Sequence, residues 1–102
     1  MDATKKATMI PFTVLERCLR VIELSGIMAE KGNQNSISDA GVGVLSAKCA
    51  AEGAYLNVVI NLADIKDPDW VVDVRRKADS IIEQIRTSSA AKMDVVNKAL
   101  KI

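Results

Sequence analysis

The sequence contains no histidine, and this removes much of the usual chemistry of active sites. Without an imidazole there is no Ser-His or Cys-His triad and no histidine general base, and nearly every type of zinc site is excluded. Any chemistry would have to use carboxylates, lysines, a tyrosine, amides, hydroxyls or water. We therefore expect neither a bound metal nor a prosthetic group.

Aromatic residues, glycine and proline are also scarce. Aromatic residues make up 3% of the 102 positions and hydrophobic residues 49%, so any core must be built from aliphatic side chains. Five glycines and two prolines are too few for a loop-rich or disordered chain. A chain of this length forms a single domain, here residues 1–102, and buries roughly two thirds of its extended surface.

Neither sign of charge dominates, and cysteines are few. Fourteen basic and thirteen acidic residues leave a net charge of +1, which argues against a nucleic-acid partner and against binding to an anionic membrane. The two cysteines, Cys18 and Cys49, lie in apolar runs, and no signal peptide precedes them. We expect both thiols to be buried and reduced, in a cytoplasmic protein.

Apolar residues recur at steps of three and four and predict an all-α fold of three long helices, at about 2–31, 38–62 and 68–101. Pro11 lies inside the first, which must either kink there or begin again; we favour the kink. The apolar face of this first helix is predicted to contain Val14, Cys18, Val21, Ser25 and Met28, widened by Leu15, Leu19 and Ile22.

A polar, Asn-rich stretch separates the first two helices. Lys31 in the last turn and Gly32 at the C′ position predict the end of the first helix. Residues 32–37 then form a polar connector, and Ser38 or Asp39 caps the second helix. By spacing alone, this connector is better explained as a helix–helix loop with capping residues than as a binding loop.

The second helix is apolar almost all round. Only Lys48 and Glu52 are charged between residues 40 and 62, and we expect these two to pair with each other. Two amphipathic neighbours can cover only part of such a helix, so one side should stay apolar and open in a monomer. One face carries small and polar residues at helical spacing: Ser46, Ala50, Gly53, Asn57 and Asn61.

The third helix begins at a strong start signal, because residues 67–69 read Asp-Pro-Asp. Trp70 should anchor this end of the helix, and Tyr55 of the second helix should lie in the core or an interface with a partner for its hydroxyl. The polar face carries two ion pairs at i,i+4 spacing: Asp73–Lys77 and Asp94–Lys98. The apolar face is predicted to contain Val71, Val74, Ala78, Ile81, Ile85, Ser89, Met93, Val96 and Leu100.

Two segments of the sequence resemble the folate-processing cyclodeaminase/cyclohydrolase family. They are residues 32–45, GNQNSISDAGVGVL, and residues 50–62, AAEGAYLNVVINL. The IPFTVLE segment around Pro11 and the INLADIKDPDW segment ending at Trp70 follow the family's order. The family includes the cyclodeaminase domain of formiminotransferase-cyclodeaminase and the bacterial methenyltetrahydrofolate cyclohydrolases.

The resemblance implies an all-helical dimer and a tetrahydrofolate derivative as substrate. Family members release ammonia from the 5-formimino compound to give 5,10-methenyltetrahydrofolate, or interconvert the methenyl and 10-formyl forms with water. The sequence resembles only the back half of the family's domain. The upstream segments of the GGGSVAA and DADAEAF types, the second of which holds the proposed catalytic aspartate, have no counterpart here. No residue therefore inherits the catalytic role.

The resemblance carries over a set of candidate folate-binding residues: Asn33, Asn35, Ser38 and Asp39 at the turn, and Asn57 and Asn61 on the second helix. Amides can match both the donors and the acceptors of a pterin edge. Asn57 and Asn61 could instead form hydrogen bonds across a helix–helix contact. Asp39 and Glu52 are the carboxylates considered as a base for water, and Glu52 would need a raised pKa for that role.

The leading hypothesis is a protein of folate one-carbon metabolism that lacks the front half of the family's domain. It would be inactive or only partly active alone, and it would form a homodimer or join a partner that supplies the missing half. The alternative is a non-catalytic helical dimerisation or folate-binding module. A small dimeric enzyme of chorismate-mutase-like architecture is disfavoured, because a matching set of active-site Arg and Lys residues is absent.

Overall fold

Three helices account for nearly all of residues 2–102, the part of the chain that the computed structural model describes. They are α1 (Ala3–Lys31), α2 (Gln34–Leu62) and α3 (Pro68–Leu100), and each packs against both others. No strand occurs among these residues. The predicted all-α bundle of three long helices is confirmed.

α2 begins earlier than the sequence suggested, so the prediction of Ser38 or Asp39 as its cap is wrong. Asn33 is the N-cap, and its side-chain oxygen accepts a hydrogen bond of 3.0 Å from the backbone N–H of Ser36. Asparagine caps helices as well as serine or aspartate does, and capping at residue 33 extends α2 by a full turn. The connector predicted at residues 32–37 therefore shrinks to two residues.

Gly32 makes this short connector possible through its size and not through a left-handed backbone. Its backbone is extended, with φ −82° and ψ 166°, and its N–H donates to the carbonyl of Met28 at 2.7 Å. A Cβ at residue 32 would lie 2.6 Å from that carbonyl oxygen and 2.9 Å from Cβ of Ser36. Any larger residue would push α1 and α2 apart at their junction.

α1 is one continuous helix through Pro11, so it does not begin again there. Its predicted apolar face is wrong on one side, because Val14, Val21 and Met28 are exposed while Leu15 and Ile22 are fully buried. The sequence shows a broad apolar arc on α1 but not which edge of that arc meets its neighbours. Here the buried edge is the one centred on Leu15 and Ile22.

The main core is aliphatic and lies where the three helices meet. α1 contributes Leu15 and Ile22, α2 contributes Val44 and Val58, and α3 contributes Ile85, all of them fully buried. A smaller cluster closes the other end of the bundle and consists of Ala29, Ile37, Ala40 and Val96. Burial at this scale stabilises the fold by about 1.5–3 kcal/mol for each large aliphatic side chain.

α3 follows its predicted course closely. Asp67 caps it by accepting a 3.3 Å hydrogen bond from the backbone N–H of Trp70, and Trp70 packs against the core, which confirms its role as an anchor. Lys5 of α1 reaches this end of α3, with its Nζ 2.7 Å from Asp67 and 5.2 Å from the centre of the Trp70 ring. The two predicted ion pairs, each 3.0 Å long, are also present: Asp73–Lys77 and Asp94–Lys98.

One long side of the bundle, on α1 and α2, remains apolar and open, as expected. The large exposed side chains of α2 are Val42 (61% exposed), Leu45 (52%), Leu56 (66%) and Ile60 (67%). On α1 the exposed apolar residues include Ile10, Val14, Val21 and Leu24. We call this surface the α1/α2 face. No helix within residues 2–102 has the length and hydropathy needed to cross a membrane.

The two cysteines differ in their surroundings. Cys18 is buried, and its burial raises the pKa of its thiol. Cys49 is exposed, so the prediction that both thiols are buried is wrong for this residue. The physical reason is that Cys49 lies on the side of α2 that neither α1 nor α3 covers, where an apolar run in the sequence does not imply burial.

Candidate functional site

A groove between α1 and α2 contains two of the six predicted site residues. It has a volume of about 570 Å³ and is open along one side. Its walls are Ala7, Ile10, Pro11 and Val14 from α1, and Ala50, Gly53, Ala54, Asn57 and Asn61 from α2. The stripe of small and polar residues on α2 therefore supplies one wall of this groove.

The groove is suited to a flat, largely uncharged group. Gly53 leaves open space, because a Cβ there would meet no atom within 4 Å. Asn57 is exposed and Asn61 half-buried, so their amides can still donate to and accept from a ligand. An apolar wall with a few fixed polar groups is the usual composition of a small-molecule site.

Ala7 and Pro11 of α1 line this groove, which inspection of the sequence did not identify. Proline has no backbone N–H, so the carbonyl of Ala7, four residues earlier, loses its helical donor. The sequence did show that Pro11 interrupts the hydrogen bonding of α1. It did not show that α2 lies across the groove from Ala7 and Pro11.

The other four predicted residues lie far from the groove within one chain. Asn33 already uses its side chain as the cap of α2, and Asn35, Ser38 and Asp39 are exposed in the first turns of that helix. Asp39 and Asn57 are separated by 18 residues of one continuous helix, which is about 27 Å. The predicted site residues thus form two groups at opposite ends of α2.

Glu52 does not pair with Lys48, contrary to prediction. The guanidinium of Arg86 on α3 binds Glu52 through two hydrogen bonds of 2.8 and 2.7 Å. The planar fork of an arginine matches both carboxylate oxygens, which a lysine four residues away cannot do. These hydrogen bonds hold the pKa of Glu52 below its usual value. The raised pKa that Glu52 would need to act as a base is therefore not found.

Tyr55 finds the hydroxyl partner that was predicted. Its hydroxyl donates to Asp79 on α3, and the Nε of Arg75 donates to the same oxygen of Asp79 at 3.0 Å. The hydrogen bond to Asp79, followed by burial, raises the pKa of Tyr55, and the same bond lowers the pKa of Asp79. We call the polar contacts of Glu52, Tyr55, Asp79 and Arg86 the α2–α3 network. It joins two helices and does not line the groove.

Within residues 2–102 there is no cluster of three or more potential metal ligands. The nine residues that line the groove include no carboxylate, lysine or tyrosine. The groove can therefore bind and orient a ligand through its amides and backbone, but its own side chains cannot remove a proton from water at neutral pH.

The groove lies inside the region that matches a known family. The family model described as formiminotransferase-cyclodeaminase matches residues 1–80. The chain belongs to the formiminotransferase-cyclodeaminase family. The matched region contains α1, α2 and the start of α3, and so it includes every residue of the groove, whereas Arg86 lies beyond it.

Relatives with assigned names belong to folate one-carbon metabolism. A methenyltetrahydrofolate cyclohydrolase of Methylorubrum extorquens is 39% identical over 83 residues, which is 81% of this chain and 40% of that protein. Formimidoyltransferase-cyclodeaminases of Gallus gallus and Sus scrofa are 29% and 27% identical over 94 and 93 residues, 17% of each protein. The chain thus spans 40% or less of these relatives and matches their C-terminal region.

Proposed function

We propose that this chain binds a tetrahydrofolate derivative in the groove between α1 and α2, as part of a cytoplasmic enzyme of the cyclodeaminase/cyclohydrolase type. The observation that supports this most is the position of Asn57 and Asn61. They lie one turn apart on an otherwise apolar wall, within the region that matches a family named for this chemistry.

The groove offers a distinct contact for each part of a pterin ring. The flat faces of the ring would pack against Ile10 and Val14, with the open space over Gly53 allowing close approach to the backbone of α2. The amides of Asn57 and Asn61 would bind the alternating donors and acceptors along the ring's edge. The free carbonyl of Ala7 would accept from a ring amine.

Turnover requires groups that this groove does not contain. Attack of water on the methenyl carbon, or release of ammonia from the formimino group, needs a group that accepts or donates a proton close to the ligand. The remainder of the site would come from a second copy of the chain, or from a polypeptide equivalent to the part of the relatives that this chain does not match. The chain alone would bind a folate and turn it over slowly or not at all.

Calorimetry with 5,10-methenyltetrahydrofolate tests the binding half of this proposal. Asn57→Leu should abolish binding, because it replaces the amide with an apolar group while keeping a good helix former. The matched control is Asn97→Leu, an exposed asparagine on α3 away from the groove, which should leave binding unchanged. Equal binding by wild type and Asn57→Leu would instead assign the two asparagines to helix packing.

Loss of the methenyltetrahydrofolate absorption band tests the catalytic half. We expect the rate with this chain to equal that of buffer, or to exceed it only slightly. A rate typical of enzymes, about 1–1000 per second, would show that the groove and its surroundings are sufficient for catalysis. Adding a polypeptide with the missing part of the family's domain should raise the rate.

A non-catalytic assembly module remains the second candidate, and the exposed α1/α2 face favours it. Exposed apolar side chains gathered on one side of a molecule are typical of an interaction surface. Calorimetry separates the two functions, since an assembly module without folate binding would give no heat with methenyltetrahydrofolate.

A further inference from the structure

A small cavity between α2 and α3 is lined by two cations and by no carboxylate. Its volume is about 170 Å³, and since a water molecule takes up about 30 Å³ of liquid, it has room for one small group. The walls are Leu45 and Lys48 from α2, and Arg86, Ser89, Ala90 and Met93 from α3. Two positive charges facing one cavity favour an anion as its occupant.

Lys48 is available to such an anion because Arg86 has taken the carboxylate that was expected to pair with it. Nε and Nη2 of Arg86 bind Glu52 at 2.8 and 2.7 Å. The pKa of Glu52 is lowered chiefly by its hydrogen bonds to Arg86 and in smaller part by the charge of Lys48, so the ammonium group is near that carboxylate. Lys48 nevertheless forms no ion pair with any of residues 2–102.

Arg86 also keeps part of its guanidinium free. The bonds to Glu52 use Nε and one hydrogen of Nη2, whereas Nη1 forms no hydrogen bond within residues 2–102. Glu52 therefore holds the guanidinium in place without using all its donors. A side chain that is already fixed loses less conformational entropy when it binds a ligand, which favours binding.

The rest of the lining is one buried hydroxyl and three apolar side chains. Ser89 is 2% exposed, and its hydroxyl donates to the carbonyl of Arg86 at 3.2 Å. Leu45 and Ala90 are exposed, and Met93 packs against the core. An anion without an apolar part, such as phosphate, would gain nothing from these three side chains. The lining is better suited to an anion that carries an apolar body.

We propose that the cavity between α2 and α3 binds a small carboxylate with an apolar body, of which benzoate is an example. The carboxylate oxygens accept hydrogen bonds from Nζ of Lys48 and from the free N–H groups of Arg86, and charge assistance makes these bonds strong. The body packs against Leu45 and Met93, whose thioether makes favourable contacts with aromatic rings.

This carboxylate site is separate from the groove proposed for folate. The cavity lies where α2 meets α3, and the groove lies where α2 meets α1. No residue lines both. Arg86, Ser89 and Met93 also lie beyond residues 1–80, the region that matches the family. Binding of a carboxylate here is therefore a property of this chain that does not depend on the proposed function.

Titration of the isotope-labelled chain with benzoate, followed by the chemical shifts of its backbone amides, tests the site. We expect saturable shifts centred on Lys48 and Ser89, with a Kd of about 1 mM, the order of magnitude for a ligand of so few atoms. Benzamide, which has the same ring without the charge, should bind at least about tenfold more weakly. Phosphate should also bind more weakly than benzoate.

Three results of this titration would overturn the proposal. Shifts centred on Gly53 and Asn57 would place benzoate in the groove. Shifts that remain linear up to about ten times the expected Kd would indicate only unspecific attraction between charges. Equal affinities for benzoate and benzamide, or for benzoate and phosphate, would show that the cavity does not recognise a carboxylate with an apolar body.

Lys48→Met tests the contribution of the ammonium group, because methionine keeps an unbranched stem and removes the charge. It should weaken benzoate binding at least about tenfold. Lys6→Met is the matched control and should bind as wild type does, because Lys6 is also exposed and without an ion pair but lies on α1, outside the cavity. Both variants should keep the amide spectrum of a folded chain. Unchanged affinity in Lys48→Met would contradict the proposal.

Glu52→Gln should change the affinity in the opposite direction. It removes a negative charge beside the cavity, while the amide oxygen of glutamine still accepts a hydrogen bond from Arg86. Benzoate binding should become about two- to fivefold tighter, the range expected for one partly exposed charge. Unchanged or weaker binding would contradict the position of the anion beside Glu52. None of these titrations uses a folate, so their outcome leaves the test of the proposed function intact.

Discussion

Two glycines of α2 show how strongly the effect of one residue on stability depends on the atoms beside it. Gly43 faces α1, and a Cβ there would lie 2.9 Å from the hydroxyl oxygen of Ser25. Gly53 faces the open groove, where a Cβ would meet nothing within 4 Å. Each glycine has a lower helix propensity than alanine, so the effects of replacing the two by alanine differ only through packing.

Unequal effects on stability are expected from the same substitution at these two sites. Gly53→Ala should raise the free energy of unfolding by about 0.5–1 kcal/mol through helix propensity alone. Gly43→Ala should raise it by less, because the hydroxyl of Ser25 must rotate away from the new methyl group. Urea denaturation measures both, and an equal gain from the two variants would mean that the contact with Ser25 costs nothing.

Gly53→Ala should also weaken folate binding, because its methyl group would fill the open space against which the pterin packs. Calorimetry with methenyltetrahydrofolate gives the comparison. Improved stability together with unchanged affinity would remove Gly53 from the groove's function.

At the scale of the helices, the α2–α3 network makes stability depend on pH. Bonds from Arg86 and from Tyr55 lower the pKa values of Glu52 and Asp79, respectively, from usual values of 4.5 and 3.8. A carboxyl group with a lower pKa in the folded state binds protons less readily there than in the unfolded chain. Its contribution to the free energy of unfolding is fully present above the usual pKa. This contribution is lost as the pH falls through the lowered pKa of the folded state.

The free energy of unfolding should therefore fall between about pH 5 and pH 2. The double variant Glu52→Gln with Asp79→Asn should show a shallower fall over the same range and should be less stable at pH 7 by about 1–2 kcal/mol, because partly exposed ion pairs contribute little each. Urea titrations at several pH values measure this. An unchanged pH profile in the double variant would assign the acid sensitivity to other carboxylates.

The helices were predictable from the sequence where the signal is local. The ion pairs Asp73–Lys77 and Asp94–Lys98 follow from the spacing of residues about one helical turn apart. The Asp-Pro-Asp sequence at residues 67–69 predicts the start of α3. The pairing of Glu52 with Arg86 was not predictable, because 34 residues separate the partners and the outcome depends on how α2 and α3 are rotated. The start of α2 was misplaced because Asn33, Ser38 and Asp39 are all good caps, and the choice depends on the fit of Gly32 between two helices.

Prediction of the candidate site was limited in the same way, because the sequence does not show how the helices are rotated against each other. Asn57 and Asn61 could be assigned to one helix face by spacing, but Ala7, Ile10 and Pro11 complete the groove only because α1 packs beside that face. Rotation of α1 also explains why Val14 and Val21 are exposed while Leu15 and Ile22 are buried. A single sequence shows that both helices have wide apolar arcs but not how those arcs meet.

At the scale of the whole molecule, the α1/α2 face should make stability depend on protein concentration. A second copy that binds only the folded chain stabilises it by mass action. The midpoint of thermal unfolding should therefore rise as wild-type concentration increases, whereas that of Leu56→Arg should stay constant. Calorimetric scans over a hundredfold range of concentration measure this. Val72→Arg is the control and should behave as wild type, because Val72 is as exposed as Leu56 (66%) but lies on α3. A constant midpoint for wild type would point to a folded monomer.

The two-residue connection at Gly32 and Asn33 has a consequence for how the chain folds. Only two residues join α1 and α2, so contacts beside this junction form between residues that are near one another in sequence, and α3 follows after only five residues, 63–67. Bringing such segments together costs little loop-closure entropy, and helical proteins rich in local contacts fold within microseconds to milliseconds. The α1–α2 hairpin is thus ready to form early, and its outer side becomes available to a partner as soon as it does.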